Sequence, residues 1–285
     1  MSEHLKGSLS RRALWGCLLA LFVVSVFAHV AWAQKARPVT SLRMYVIELG
    51  GRPPGPREST YPAYLIVHPK GSLLWEAGAL PDAYVGTNRP REELRDALRT
   101  IVTPKPLKEK LAEIGYSPAQ ITYFALSHYH DDHTGNANDF AGSTWLVQKA
   151  ERDAMFAEKP PAIGDIRTYS ALKNSKTVII ENKDYDVFGD GTTVIKFTPG
   201  HTPGHQSLFL KLAKFGPVLL SGDLYHSTTE HVPPFDTGTG IDNKEQTLAS
   251  RMALESFLKQ TGAQLWIHHD VPTIRALKKS PEYYE

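Results

Sequence analysis

Cysteine is all but missing from this chain: among 285 residues only Cys17 carries a thiol, and it sits in an N-terminal stretch that reads as removable. Without it the chain forms no disulfide and offers no thiolate, so a metal site has to be built from His, Asp and Glu. Long apolar runs are absent beyond Val30. The one that exists, Ala13 to Val30, follows Lys6, Arg11 and Arg12 and precedes Ala31-Trp32-Ala33, a small-x-small cleavage site before Gln34. Residues 1–33 are therefore expected to be a cleaved signal peptide, and 34–285 a single domain placed in the periplasm or secreted. A run of this length is also near the lower limit for a bilayer span, so a membrane anchor is the competing reading. Ser10-Arg11-Arg12 resembles a twin-arginine signal, which leaves the export route open. An excess of either charge is missing as well. Cleavage after Ala33 leaves 29 basic and 29 acidic residues, which argues against a nucleic acid or an anionic membrane as partner.

What remains is a length that can bury one large core. Short runs rich in Val, Ile, Leu and Tyr read as strands: Ser41 to Leu49, Tyr64 to Val67, Leu73 to Trp75, Ile121 to Leu126, Trp145 to Val147, Val178 to Ile180, Thr193 to Phe197, Ser207 to Leu212, Val218 to Leu220 and Gln264 to Ile267. Helical spacing is expected through Leu94, Leu98 and Ile101, through Leu107, Leu111 and Ile114 up to Gly115, from Lys149 to Ala157, and through Leu248, Met252, Leu254, Phe257 and Leu258 up to Gly262. Gly50 to Pro56 reads as a loop too irregular for either element. No repeat of fixed period is present. The order is mixed α/β with strands dominating both halves, which suggests sheets packed together with helices outside.

The chemistry is concentrated after the strands. His128-Tyr129-His130-Asp131-Asp132-His133 follows the strand ending at Leu126. In extended chain His128 and His130 face one way, while Asp132 and His133, a turn later, can face a second point a few ångströms off: a geometry for two metals. Thr198-Pro199-Gly200-His201-Thr202-Pro203-Gly204-His205, Ser221-Gly222-Asp223 and His268-His269-Asp270 each follow a further apolar strand. A lone His or Asp after a strand is usually a satisfied polar residue; together these segments supply seven nitrogen and oxygen ligands. Of His268 and His269 only one is expected to point inward, since neighbours in a strand face opposite ways.

This set resembles the metallo-β-lactamase superfamily, and within it the acyl-homoserine lactonases, over roughly Tyr45 to Asp270. The resemblance implies an αβ/βα four-layer sandwich and two zinc ions, other divalent transition metals being possible. It implies that His128, His130 and His201 hold one ion, that Asp132, His133 and His269 hold the other, and that Asp223 bridges them. The pair His269-Asp270 resembles the lactonase motif and favours His269 over His268. Asp132 would relay a proton to the leaving group and His205 would orient a ligand. Glu76-Ala77-Gly78 stands where many members have Asp-Thr-Gly, which puts support of the site from that position in doubt. His226 stands where lactonases have a tyrosine, with Tyr225 one residue early; both are candidate substrate-facing residues. Leu80 to Pro104 is expected to cover the site, with Tyr84, Val85, Tyr225 and Phe235 as wall candidates.

A metal-bound hydroxide needs no Ser or Cys nucleophile, so the expected activity is metal-dependent hydrolysis of a small molecule, foremost the opening of a lactone ring. Glyoxalase II-like thioester cleavage or hydrolysis of another ester or phosphoester is the alternative, and β-lactam opening fits less well because those members generally lack the bridging Asp. An iron-dependent redox member would need a flavin-binding domain for which there is no room. A homodimer stays open.

Overall fold

A computed structural model of the chain describes residues 40–159, 161–231 and 243–285. The expected signal segment and Phe235 lie outside those residues. In chain order the strands are β1 (Arg43–Ile47), β2 (Gly51–Arg52), β3 (Ser59–Thr60), β4 (Ala63–His68), β5 (Gly71–Trp75), β6 (Tyr123–Ala125), β7 (Thr144–Gln148), β8 (Thr177–Ile180), β9 (Tyr185–Asp186), β10 (Thr193–Phe197), β11 (Gln206–Leu212), β12 (Gly216–Leu220) and β13 (Gln264–Trp266). The helices are α1 (Asp96–Arg99), α2 (Leu107–Glu113), α3 (Asp131–Thr134), α4 (Lys149–Met155), α5 (Ile166–Tyr169), α6 (Lys244–Thr261) and α7 (Val271–Ala276).

Two sheets form, in the orders β1-β4-β5-β6-β7-β8 and β13-β12-β11-β10-β9. Strand β4 is buried at every position because both of its faces are covered. Tyr64 and Ile66 pack between the sheets with Trp75, Leu208, Leu210 and Leu220. Leu65 and Val67 point the other way, into a layer with Leu107 and Leu111 of α2 and Met155 of α4. On the far side of the second sheet, Phe209 and Leu219 meet Leu254 of α6, with Phe257 and Leu258 packed against them. The layers thus run helix, sheet, sheet, helix. This four-layer sandwich is the fold the resemblance implied.

Three details depart from the sequence reading. The Gly50 to Pro56 stretch is not loop throughout, because Gly51 and Arg52 pair with Thr60 and Ser59 in a small hairpin. Around Leu94 to Ile101 only one helical turn forms, Asp96–Arg99. On α6, Leu248 and Met252 are exposed, and the inward face is Thr247, Ser250, Arg251 and Leu254. Polar attachments decide that orientation: Ser250 Oγ donates to Pro199 O (2.6 Å), Arg251 Nε to Leu224 O (2.7 Å) and Arg251 Nη2 to Glu230 (2.7 Å). The helix is therefore fastened to two of the loops that carry histidines and aspartate.

Parallel pairing of β5 with β6 and β6 with β7, and of β12 with β13, sends the segments after these strands to one end of the sandwich. The turn from β10 into β11 joins them there, because β11 runs antiparallel to both β10 and β12.

Candidate metal centre

At that end seven side chains named from the sequence converge. The ligand atoms of His128, His130 and His201 lie within 4.8 Å of one another, as do those of Asp132, His133 and His269. Asp223 sits between the two groups. Its Oδ2 is 3.9 Å from His128 Nε2, 3.7 Å from His201 Nε2 and 3.1 Å from His269 Nε2, and its Oδ1 is 3.2 Å from His133 Nε2. His128 Nε2, His133 Nε2 and Asp223 Oδ1 are buried and make no hydrogen bond. Buried polar atoms without partners are costly and rare, so three of them turned towards one small volume fit a site completed by cations. The protonation states of the first triad agree, while at His133 burial is outweighed by the Asp223 and Glu76 carboxylates, which hold the ring well above the ordinary histidine range. Burial, together with neighbouring histidines, holds His128 and His201 far below the ordinary histidine range and lowers His130 to about 4, so these rings are neutral donors near pH 7. Burial alone would raise the Asp223 carboxyl, but His269 and His133 beside it hold it well below the usual range, as an anion.

Three of these histidines, His269, His128 and His133, are aimed by a partner on the far side of the ring. His269 Nδ1 lies 2.9 Å from the Thr60 carbonyl, which can only accept, so Nδ1 carries a proton, and the ring is turned to bring Nε2 to 3.1 Å from Asp223 Oδ2. Ser127 Oγ meets His128 Nδ1 at 2.9 Å. The Glu76 carboxylate, wholly buried, lies 3.3 Å from His133 Nδ1 and accepts from Ser127 N at 3.2 Å. Support from the position of the departed motif is therefore present after all, since the longer Glu side chain reaches His133 from a backbone at φ 70°. His205 uses both ring nitrogens away from the cluster. Nδ1 donates to Thr198 O (3.0 Å), Nε2 accepts from Asp223 N (3.0 Å), and burial lowers the ring to about 3. A Cβ on Gly222, at φ 55°, would stand 2.7 Å from that Nε2 and 2.6 Å from Ser127 Cβ, so only glycine lets Asp223 approach here.

The last two histidines depart from the alternation expected of them. His268 and His269 follow β13 in a turn rather than in extended chain, so strand alternation does not apply to them. Both approach His133: the His268 ring, fully buried beside Glu76, at 4.5 Å, and the His269 ring at 5.2 Å. Only His269 faces Asp223.

A cavity of about 630 Å³ opens over the cluster, walled by Arg52, Arg57, Ser59, Tyr61 and Arg95 on one side and by Ile163, His226 and Glu230 on the other. His226 Nε2 is 3.5 Å from Asp223 Oδ2, and its ring lies nearly parallel to that of His269 (4°, centroids 6.1 Å apart). Tyr225 does not reach the cavity: it is buried under Arg251 and its hydroxyl donates to Glu255 (2.8 Å). Tyr84 and Val85 are also packed away, in the core under Leu94 and Leu98, and the covering segment instead contributes Arg95, whose guanidinium grips buried Asp131. Among the described residues the wall thus rests on Arg52, Arg57, Tyr61 and Arg95. No sequence pattern marked them, because single Arg and Tyr residues scattered over separate segments carry no spacing signal. Glu151 was equally hidden inside the helical pattern of α4. It is buried and accepts from Tyr129 N (2.8 Å), Thr202 Oγ1 (2.8 Å) and Gly204 N (2.8 Å), strapping the first histidine loop to the second.

The family model of the metallo-beta-lactamase superfamily matches residues 58–256. The chain belongs to this superfamily. The N-acyl homoserine lactonase AttM of Azorhizobium caulinodans is 31% identical over 237 residues, covering 80% of this chain and 88% of the relative. An N-acyl homoserine lactonase from a Bacillus species is 34% identical over 229 residues, or 77% and 85% of the two chains. In structure, the chain is similar to an N-acyl homoserine lactone hydrolase solved with N-hexanoyl-L-homoserine at its catalytic metal centre. The TM-score is 0.71 at 25% identity, covering 86% of this chain and all of the other. These likenesses place the chain among lactonase-like metal-dependent hydrolases.

Proposed function

We propose that this enzyme opens lactone rings to hydroxy acids, using two divalent metal ions, zinc foremost. The observation that carries the reading is Asp223, set between two triads of donors so that its two oxygens face both. His128, His130 and His201 would hold one ion and Asp132, His133 and His269 the other, with Asp223 shared. Bound there, the ions supply a water that ionises near neutral pH and Lewis acidity towards the carbonyl. The chain's own groups do the rest. Asp132 faces the cavity with a carboxyl lowered by His133 and His269 against the opposing effect of burial, so it is an anion able to take a proton and pass it to the departing alkoxide. His226 occupies the position of the lactonase tyrosine and presents its imidazole to the cavity. Glu230, whose Oε2 accepts from His226 N (3.2 Å) and is itself held by Arg251, steadies it. Its part is to orient the substrate's oxygen over Asp223.

The relatives named N-acyl homoserine lactonases support the lactone over other esters. Proton release in weak buffer, with the metal-loaded protein and a panel of lactones, thioesters, phosphate esters and a β-lactam, tests this. Turnover of a thioester or phosphate ester with none of any lactone would reject the assignment. We also infer, from the sequence alone, export with cleavage before Gln34. Intact mass of protein from the native cell envelope tests it, and a chain beginning at Met1 that resists salt extraction refutes it.

A further inference from the structure

We infer that the cavity selects substrates carrying an anionic group, a carboxylate or a phosphonate-like group, on the part remote from the reacting ring. This rests on the lactone reading above and names its substrate class. The small hairpin of β2 and β3 lies against the cluster. It is bound to the metal centre through Thr60 O and Ser59 Oγ, both at His269 Nδ1 (2.9 and 3.1 Å), and so holds its residues beside the reacting centre. Arg52 on β2 and Arg57 in the turn both line the cavity. Arg52 lies 5.9 Å from the Tyr61 ring, which in turn sits edge-on to His269 at 5.1 Å.

Outside the metal-binding cluster, the charged side chains of the cavity wall are paired, among the described residues, except for these two. Glu58 pairs with Arg275, Glu230 with Arg251 and His226, and Arg95 with Asp131. Asp96, beside the outer groove that Arg52 and Arg57 also line, pairs with Arg99. Among the described residues neither Arg52 nor Arg57 has a carboxylate within ion-pair distance; Arg52 spends its Nε on Ala97 O (3.2 Å). Guanidinium groups bind carboxylates and phosphates in forked geometry, and two of them over a centre built for cations make a field that concentrates anions. The cavity wall offers little for a long acyl chain: among the described residues its apolar members are Pro56, Tyr61 and Ile163.

The test compares N-succinyl-homoserine lactone with N-succinamoyl-homoserine lactone, equal in shape and different in charge, and includes a phosphonate analogue of the same length. The metal-loaded full-length enzyme is expected to favour the anionic lactones in kcat/KM by about 10-fold, the scale of one charge-assisted hydrogen bond. The preference should shrink as ionic strength rises. In Arg52→Gln/Arg57→Gln the ratio should fall to within about 2-fold, and in the double Lys variant part of it should return. A preference for only one of the two anions supports the inference and identifies the group. Equal or better use of the carboxamide, or a preference the double Gln variant leaves intact, overturns the inference while lactone opening stands. If no lactone is opened the functional reading fails, and calorimetric binding of N-succinyl-homoserine against N-succinamoyl-homoserine then decides the present point. Tighter binding of the first that is lost in the Gln variant supports it, and equal binding refutes it.

Discussion

Replacing Glu151 with Ala should loosen the metal centre from outside it. The carboxylate holds two backbone donors, Tyr129 N and Gly204 N, and the Thr202 hydroxyl, all in a buried setting. Removing it leaves the two N–H groups with nothing to replace it, at about 1–3 kcal/mol each, while the hydroxyl can turn elsewhere. The net loss is then about 2–6 kcal/mol. At roughly 2–4 °C per kcal/mol for a domain of this size, the midpoint should fall by about 10 °C. The strapped residues flank His128, His130, His201 and His205, so metal retention should weaken in parallel. Glu151→Gln keeps one acceptor oxygen and turns an amide donor towards the other partners, and about half the loss is expected. Thermal unfolding followed by circular dichroism, on metal-free and metal-loaded protein, gives the first quantity, and elemental analysis after dialysis gives the second. If both variants melt within about 2 °C of the parent and keep their metal, the strap is not what holds the two loops together.

Glu76→Gln should weaken metal binding by about 10- to 100-fold, read by titration against a chromophoric chelator, because the amide no longer offers His133 an anionic partner; unchanged affinity would count against that role. Asp223→Ala should lower turnover of the best substrate by at least about 100-fold with the fold intact by circular dichroism, and substantial residual activity would argue against a shared carboxylate. Chelation should lower the thermal midpoint by about 10 °C, since two ions each present at 100 times their dissociation constant contribute roughly 5 kcal/mol together. A midpoint unmoved by complete metal removal, verified by elemental analysis, would remove the ions from any part in stability. Tyr225→Phe should cost about 1 kcal/mol of stability and leave KM unaltered, whereas His226→Ala should change the kinetic constants more than the melting point; the reverse pattern would exchange their roles.

The layers and the ligands were legible because each rests on a local signal. Apolar runs such as Tyr64 to Val67 mark strands buried on both faces, and a histidine or aspartate immediately after a strand is carried to the strand's end whatever the rest of the chain does. The supporting groups left no such mark. Glu151 lies in the first turn of a helix whose other residues follow ordinary helical spacing, and its partners are 22 to 53 residues away. The inward face of α6 was misread for a related reason: its exposed Leu248 and Met252 fit an apolar stripe, while the buried Arg251 reads as a solvent-facing residue until Leu224 O and Glu230 are seen beside it. The pair His268-His269 shows the limit of alternation, which holds only while the chain stays extended.

The hairpin that carries Arg52 also fixes the orientation of the His269 ring through Thr60. Residues facing the ligand and residues aiming a metal donor are thus neighbours on one short ribbon, and a change made for one is felt by the other. Variation that adapts this wall to a new substrate will shift metal affinity with it. Enzymes selected here for altered specificity should therefore first show a changed metal requirement, and supplementing the growth medium with metal should uncover variants that otherwise look inactive.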